Sequence, residues 1–295
     1  MSIDLIIVQI INAIFYASIL FLISSGLSLI YGIMRILNLS HGALYMLGAY
    51  VAYTTVVMWL GISWFSMVIG FIFSCIILAM FGLFMERIFI KPLYDKPEEL
   101  QLLLTFAFIL ILDDVVKIIW GAQYRAFPTI PGESIPIGEF RLPIYFIGTI
   151  LLSLMVGVWL WWFFNKTIIG KQLKASAYNS EIASALGINT DKVYILAFSL
   201  GAALSGLAGA VAVPLYTASP GMGGDAIVLS FAVIVIGGMG SISGAFIGSL
   251  IVGFSRIFMA ILYPVLEIAL IYVIMAIVLL IKPTGLFGMR EVERK

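Results

Sequence analysis

The sequence predicts an all-α, polytopic membrane protein, a helix bundle of about eight or nine transmembrane segments that includes broken or re-entrant elements. Hydrophobic residues make up 63% of the 295 residues and charged residues only 11%, whereas soluble proteins carry about a quarter charged residues. The apolar runs are long enough to cross about 30 Å of hydrocarbon as helices. The chain lacks the series of alternating ten-residue segments that is typical of a membrane barrel.

Nine spans are predicted from apolar runs that are bounded by charge, Pro or Gly. The first is longer than a straight span needs, so we expect it to be tilted or to break near "SSGLSLIYG". The seventh is short and ends in "GGMGSISG", a pattern typical of a discontinuous element that protein or a water-filled cavity must cover. The predicted spans are residues 8–33, 42–60, 64–85, 102–120, 143–164, 193–217, 226–240, 244–262 and 265–282.

The distribution of lysine and arginine predicts the orientation, because basic residues of short loops stay on the cytoplasmic side. If the loop at 166–192 is inside, alternation places the loop at 86–101 and the C-terminus inside and the N-terminus outside. Only Arg125 and Arg141 are then external. The basic residues predicted to be cytoplasmic are Arg35, Arg87, Lys91, Lys96, Lys166, Lys171, Lys174, Lys192, Lys282, Arg290, Arg294 and Lys295.

Composition excludes several classes of function. Residues 1–295 are predicted to form one transmembrane domain without a soluble domain, because the polar segments are too short to fold alone. The chain has no GxxxxGK[ST] loop for ATP, and its net charge of +1 argues against nucleic-acid binding. Its single histidine and its single cysteine, Cys75, argue against a metal site of the usual type and exclude an internal disulfide. We therefore expect no cofactor, and any energy source must be a partner or an ion gradient.

A polar cluster interrupts the apolar pattern in "ILNLSHGALYMLGAY", which contains Asn38, Ser40, His41 and Gly42. Buried polar groups are costly unless they are paired, so two interpretations stand side by side. The cluster could line a translocation pathway with uncharged hydrogen-bonding groups. It could also be structural, with Ser40 as the N-cap of the next helix and His41 at the level of the lipid headgroups. The two roles are compatible.

The segment at 165–192 is the most polar part of the chain. "GKQLKASAYNSEIASALGINTDKVYILAF" predicts a short helix along the membrane surface that Gly187 ends, followed by "NTD" as a cap for the next span. Small residues beside Glu181 would let such a helix seat in a groove of another protein. A solvated linker between two spans is the alternative.

Charges inside predicted spans are functional candidates by default. Asp113, Asp114 and Lys117 are spaced for local pairing on the fourth span, and Arg256 could pair with Glu267 across the last turn. Local pairing argues against a proton or sodium relay.

A small-residue face on the sixth span contains Gly201, Ser205 and Gly209. This spacing allows close helix packing, either within the subunit or against a partner. A faint echo between "SHGAL" and "ISGAF" hints at a duplicated architecture but does not establish one.

Several motifs resemble a known family. "SEIASALGIN" is similar to the EAA loop of ABC importer permeases, with Ile182 where many members have alanine and without the proline that often follows. "GLSLIYGIMRILNLSHGALYMLGAY", "GKQLKASAYNSEIASALGIN", "GLAGAVAVPLY" and "GGMGSISGAFIGSLIVG" occur in the order seen in branched-chain amino acid ABC transporter permeases, most of all the LivH-type subunit. The resemblance covers nearly the whole chain.

This resemblance implies a bacterial inner-membrane importer. Its partners would be a second permease of the LivM type in a heterodimer, two ATP-binding subunits and a periplasmic substrate-binding protein. Glu181, Ala183 and Gly187 would form the coupling helix that docks on the ATPase. The substrate would be a branched-chain amino acid, another amino acid, urea or a short amide. The alternative is an ion-coupled carrier or channel that works without an ATPase.

Overall fold

The computed structural model describes residues 3–94, 96–127 and 134–288, and these form a bundle of helices with one small hairpin. Basic residues Arg290, Arg294 and Lys295 lie outside the described residues. The helices are α1 Ile3–Met34, α2 His41–Tyr53, α3 Trp64–Met85, α4 Glu98–Trp120, α5 Ile144–Lys166, α6 Ile168–Tyr178, α7 Ser180–Ala185, α8 Thr190–Ala212, α9 Gly223–Gly237, α10 Ile242–Leu262 and α11 Glu267–Ile281. The antiparallel strands β1 Ser134–Ile137 and β2 Phe140–Pro143 make the hairpin.

The predicted helical membrane fold is confirmed. Within the described residues, 7 helices are long and apolar enough to cross a membrane. These are α1, α2 with its π-helical extension Thr54–Leu60, α3 extended to Leu93, α5, α8, α10, and α11 together with the preceding 3₁₀ turn Pro264–Leu266, which makes 18 residues. Helix α4 is equally long but more charged, and α9 has only 15 residues. At 1.5 Å per residue α9 extends about 22 Å, too short to cross a hydrocarbon core of about 30 Å.

The bundle has two distinct faces. The hairpin face carries β1–β2, the start of α1 beside Gly138, and a backbone pairing between Arg125 and Ala218. The loop face carries α6, α7, the α3–α4 turn and the segment after α11. Two contacts connect segments of this face. Lys91 Nζ forms an ion pair of 2.5 Å with Asp191 Oδ2, and the Leu286 N–H donates a hydrogen bond to the Ile236 carbonyl. The loops at 86–101 and 166–192 therefore share one face, as the charge pattern predicted.

The helices α1–α2–α3 and α8–α9–α10 follow one another in the same order but run in opposite directions, which we call the inverted arrangement. Helix α1 runs from the hairpin face to the loop face, and α8 runs in the opposite direction; each is followed by an irregular segment and then by another helix, α2 or α9. Helix α1 packs along α10, and α8 packs along α3 in the same way. "SHGAL" and "ISGAF" begin α2 and α10, which are not equivalent in this arrangement, so that echo does not mark the duplication.

Helix α1 is continuous over its 32 residues, so of the two alternatives, a tilt or a break near "SSGLSLIYG", the break does not occur. The serines do not interrupt the helix, since Ser25 Oγ donates to the Leu22 carbonyl of its own helix. Gly26 serves packing instead, because a Cβ there would lie 2.6 Å from the Gly201 carbonyl oxygen of α8. The glycine therefore permits a close crossing of α1 and α8.

The charged groups of the spans pair locally, as predicted. Lys117 Nζ lies 2.5 Å from Asp113 Oδ2 and 3.1 Å from Asp114 Oδ1. Arg256 lies 3.4 Å from Glu267 and stands over the Tyr16 ring. The carboxylates of Asp113, Asp114 and Glu267 thus each have a basic neighbour.

Candidate translocation and coupling sites

The polar cluster is buried in the middle of the bundle. Asn38, Ser40 and His41 are at most 1% exposed. His41 Nε2 donates a hydrogen bond of 2.9 Å to the Ile23 carbonyl of α1. Ile23 lies about 16 Å before the end of α1, at 1.5 Å per residue. Helix α2 therefore begins close to the middle of a core of about 30 Å, not at the headgroups.

Ser40 precedes α2 but its side chain does not cap it. Its hydroxyl donates to Asn38 Oδ1 at 2.6 Å, and no side-chain cap bond forms at this helix start. Asn38 Nδ2 and His41 Nδ1 have no hydrogen-bond partner among the described residues. The cluster is thus only partly satisfied, which is costly for buried polar atoms. Ser40 thus occupies the N-cap position of α2 without a side-chain cap bond, and His41 lies beside the middle of α1 rather than at its end.

Helix α8 holds the cluster from the other side. Ser205 Oγ donates to the His41 carbonyl at 2.7 Å, and a Cβ on Gly209 would lie 1.9 Å from the Tyr45 carbonyl oxygen. The small-residue face of α8 therefore packs within the subunit, against α1 and α2. Sequence reasoning identified this face but not its contact with the cluster.

The starts of α2 and α9 meet beside the cluster. A Cβ on Gly42 would lie 2.1 Å from the Gly223 carbonyl oxygen, and a Cβ on Gly223 would lie 2.2 Å from the Gly42 carbonyl oxygen. Only glycine at both positions permits this approach of the two backbones. The two backbones are in contact at this level. Gly223 was missed because its partner is about 180 residues away in sequence.

The predicted coupling segment is divided into two helices, because Asn179 breaks it. The Asn179 side chain accepts from the Ile182 N–H at 3.0 Å and so caps α7. Gly187 ends α7 with φ 87°, where the Ile188 N–H donates to the Ala183 carbonyl and the Gly187 N–H to the Ser184 carbonyl. This is the Schellman arrangement, which favours glycine. Asn189 caps α8 by accepting from the Lys192 N–H, as "NTD" predicted.

The three predicted coupling residues have different environments. Glu181 is exposed in the first turn of α7, Ala183 is only 2% exposed and faces inward, and Gly187 forms the exposed turn. Ile182 and Leu186 are 59% and 77% exposed. Their i,i+4 spacing gives α7 an apolar strip beside Glu181, which the sequence reasoning missed.

Contacts on the loop face connect the start of α8, which directly follows α7, to the α3–α4 turn. Asp191, in the first turn of α8, pairs with Lys91, and the Tyr194 ring centroid lies 5.2 Å from that of Tyr94. Tyr94 donates to the Glu86 carboxylate, and burial raises the pKa of this phenol. The α3–α4 turn thus packs against the first turns of α8, which directly follow α7.

This architecture is that of a polytopic membrane permease whose exposed short helix is linked to a buried polar cluster. A family described as "Branched-chain amino acid transport system / permease component" matches residues 9–281. The chain belongs to this family, and it is the permease component of a branched-chain amino acid ABC transport system, not itself catalytic.

Curated relatives match nearly the whole chain. The "High-affinity branched-chain amino acid transport system permease protein LivH" of Salmonella typhimurium is 31% identical over 97% of this chain and 96% of its own. The corresponding BraD protein of Pseudomonas aeruginosa is 29% identical over 97% of each chain. A chain of the solved structure "PsaBC from Streptococcus pneumoniae in complex with Fab" is 16% identical, with a TM-score of 0.46 over 92% of this chain and 89% of that one.

Proposed function

We propose that this chain is the LivH-type half of a heterodimeric importer for branched-chain amino acids in the bacterial inner membrane. Its partners are a LivM-type permease, two ATP-binding subunits and a periplasmic substrate-binding protein. The loop face is cytoplasmic and the hairpin face periplasmic. The names of relatives that match over nearly their full length support the substrate and the assembly, and the clustering of basic residues on the loop face supports the orientation.

The observation that carries the mechanism is the continuity of α8. Its first turns follow α7 directly, and fifteen residues later its Ser205 holds the His41 carbonyl at 2.7 Å. Helix α7 docks on an ATP-binding subunit through Glu181, Ile182 and Leu186. Ala183 packs α7 inward, and Gly187 sets its angle to α8. Movement of α7 on ATP binding would therefore move the α8 backbone against the polar cluster.

Asn38, Ser40, His41 and Gly42 form the gate of the translocation pathway. In the closed state Gly42 rests on Gly223, and separation of α2 from α9 would expose the unpartnered Asn38 amide and His41 ring nitrogen. Neutral donors and acceptors can pass a zwitterion without retaining it. An ionised group, in contrast, would bind the solute strongly in a low dielectric.

Cysteine labelling tests the gate. Because Cys75 is the single native cysteine, Cys75→Ser gives a background in which Ser40→Cys carries the only thiol. We expect a small thiosulfonate reagent to label Ser40→Cys in the assembled transporter during ATP turnover with binding protein and substrate, but not at rest. Ser230→Cys is a control for burial, since Ser230 is also fully buried but its hydroxyl bonds within α9. Equal labelling of both positions during turnover would refute the gate.

A charge reversal tests the coupling surface. Glu181→Lys should abolish copurification of the ATP-binding subunits and uptake, while insertion into the membrane is retained. Glu99→Lys reverses another exposed carboxylate, in the first turn of α4, and should leave uptake unchanged. Normal uptake by Glu181→Lys would contradict the role of α7. Labelling of Ser184→Cys, which is exposed on α7, by an impermeant reagent outside intact cells would overturn the orientation.

The substrate is tested separately by calorimetry on the binding protein encoded beside this permease. A branched-chain amino acid should bind, and uptake by the assembled transporter should follow the same preference. A binding protein that takes only urea, a short amide or another amino acid would refute the substrate but not the assembly.

A further inference from the structure

A groove of about 620 Å³ lies between α1, α5, α6 and the start of α10, away from the polar cluster and from α7. Its walls are mainly apolar and include Phe21, Leu29 and Ile33 of α1 and Leu154, Val158 and Trp161 of α5. The last three side chains are 46% or more exposed in the described chain. The groove therefore opens sideways, towards hydrocarbon, and not towards the polar cluster.

The length of the groove matches one leaflet of a bilayer. Along α1 it extends from Phe21 to Ile33, about 18 Å at 1.5 Å per residue. One leaflet contributes about half of a hydrocarbon core of about 30 Å. Gly157 of α5 contributes to the depth of the groove, because a Cβ at this position would lie 3.3 Å from the Phe21 ring.

The end of the groove at the loop face is polar and basic. Lys174 of α6 lines it and donates to Asn165 Oδ1 at 2.8 Å. Trp161 and Tyr178 stand at the same end and are 59% and 70% exposed, as is typical of aromatic side chains at the headgroup level. None of the described residues that line the groove is acidic. The end of the groove at the loop face therefore favours an anionic group, and the rest of the groove favours an apolar chain.

We propose that this groove binds one glycerophospholipid with an anionic headgroup, whose acyl chain lies between α1 and α5 and whose phosphate contacts Lys174. A soluble solute would not match apolar walls that open to hydrocarbon. A basic group at the membrane surface attracts anionic lipid by about 1 kcal/mol per Lys or Arg. The bound chain would fill the space against α1 and α6, next to the coupling segment.

Native mass spectrometry of the intact transporter tests this site. The assembled complex is equilibrated in detergent with equal amounts of phosphatidylglycerol and phosphatidylcholine. We expect the complex to retain phosphatidylglycerol preferentially. Lys174→Gln should lower the ratio of retained phosphatidylglycerol to phosphatidylcholine about five-fold, the factor that corresponds to about 1 kcal/mol. Lys171→Gln is the matched control, because Lys171 is also exposed on α6 but does not line the groove.

A second pair of variants tests the acyl slot. Leu154→Trp should reduce retention of both lipids, whereas Leu151→Trp should not, because Leu151 is similarly exposed on α5 but lies outside the groove. An unchanged lipid ratio in Lys174→Gln, or unchanged retention in Leu154→Trp, would overturn the proposal. Lipid retained by the isolated chain but absent from the assembled complex would also overturn it and would assign the groove to the second permease. None of these outcomes depends on the function of α7 or of the gate.

Discussion

Replacement of Gly42 by alanine tests whether the starts of α2 and α9 are locked together by backbone contact. The added Cβ would lie 2.1 Å from the Gly223 carbonyl oxygen. An ordinary contact is about 3.5 Å, so the two helix starts must separate by more than 1 Å. Overpacking of this kind costs about 1–3 kcal/mol, and we expect Gly42→Ala to lower the free energy of unfolding by about 2 kcal/mol, or about 30-fold in the equilibrium constant.

The assay is reversible unfolding of the purified chain in mixed detergent micelles of increasing denaturing fraction. Gly224→Ala is the control, since Gly224 adjoins the contact but a Cβ there meets nothing within 4 Å. Gly223→Ala should cost about as much as Gly42→Ala. One separation of the helices relieves both clashes, so the double variant should cost much less than the sum of the two. Additive costs, or a neutral Gly42→Ala, would refute the idea of a single backbone lock.

Three further perturbations test the packing of α3 and the contacts of the loop face. Ser74→Ala removes a hydroxyl that lies 3.1 Å from the Gly48 carbonyl oxygen and 3.0 Å from that of Gly206. This loss should lower the free energy of unfolding by about 0.6–1.7 kcal/mol in the same assay. Ser230→Ala should cost less, because the Ser230 hydroxyl bonds within its own helix. Gly187→Ala places a Cβ at φ 87° and should cost about 1 kcal/mol, while uptake per assembled transporter falls because α7 loses its angle to α8; unchanged uptake would separate the turn from coupling. Lys91→Gln and Asp191→Asn, singly and together, should reveal a coupling free energy of less than about 1 kcal/mol, because both side chains are about half exposed; a larger value would mean that the pair is a rigid anchor of α8.

The sequence predicted the elements that depend on local chemistry. Hydropathy located the spans, the asparagine of "NTD" marked the start of α8, and Gly187 marked the end of the surface helix. These signals work because caps and apolar runs act within one turn or one span. The short α9 was also visible, since glycines break its pattern where it ends.

The failures concern contacts between distant segments. A break of α1 near "SSGLSLIYG" was one of two alternatives, but Gly26 in this stretch contacts Gly201 instead. A glycine that bends a helix has the same local sequence as one that packs. The contact of His41 with α1 was not predicted, because its partner, the Ile23 carbonyl, carries no side-chain signal. The break at Asn179 was missed because alanine-rich flanks favour a continuous helix. Backbone partners are set by the fold, and one sequence does not display them.

The inverted arrangement explains why the polar cluster lies where it does. Each half contributes one helix that follows an irregular segment, α2 or α9, and the four leading N–H groups of such a helix lack partners within the helix. Two such ends that meet at Gly42 and Gly223 concentrate polar backbone at one depth. Side chains such as Asn38 and Ser40 then belong there because they exchange hydrogen bonds without introducing charge. Since α8 touches this point through Ser205 and begins beside α7, a displacement of α7 reaches the depth at which the two halves of the bundle meet.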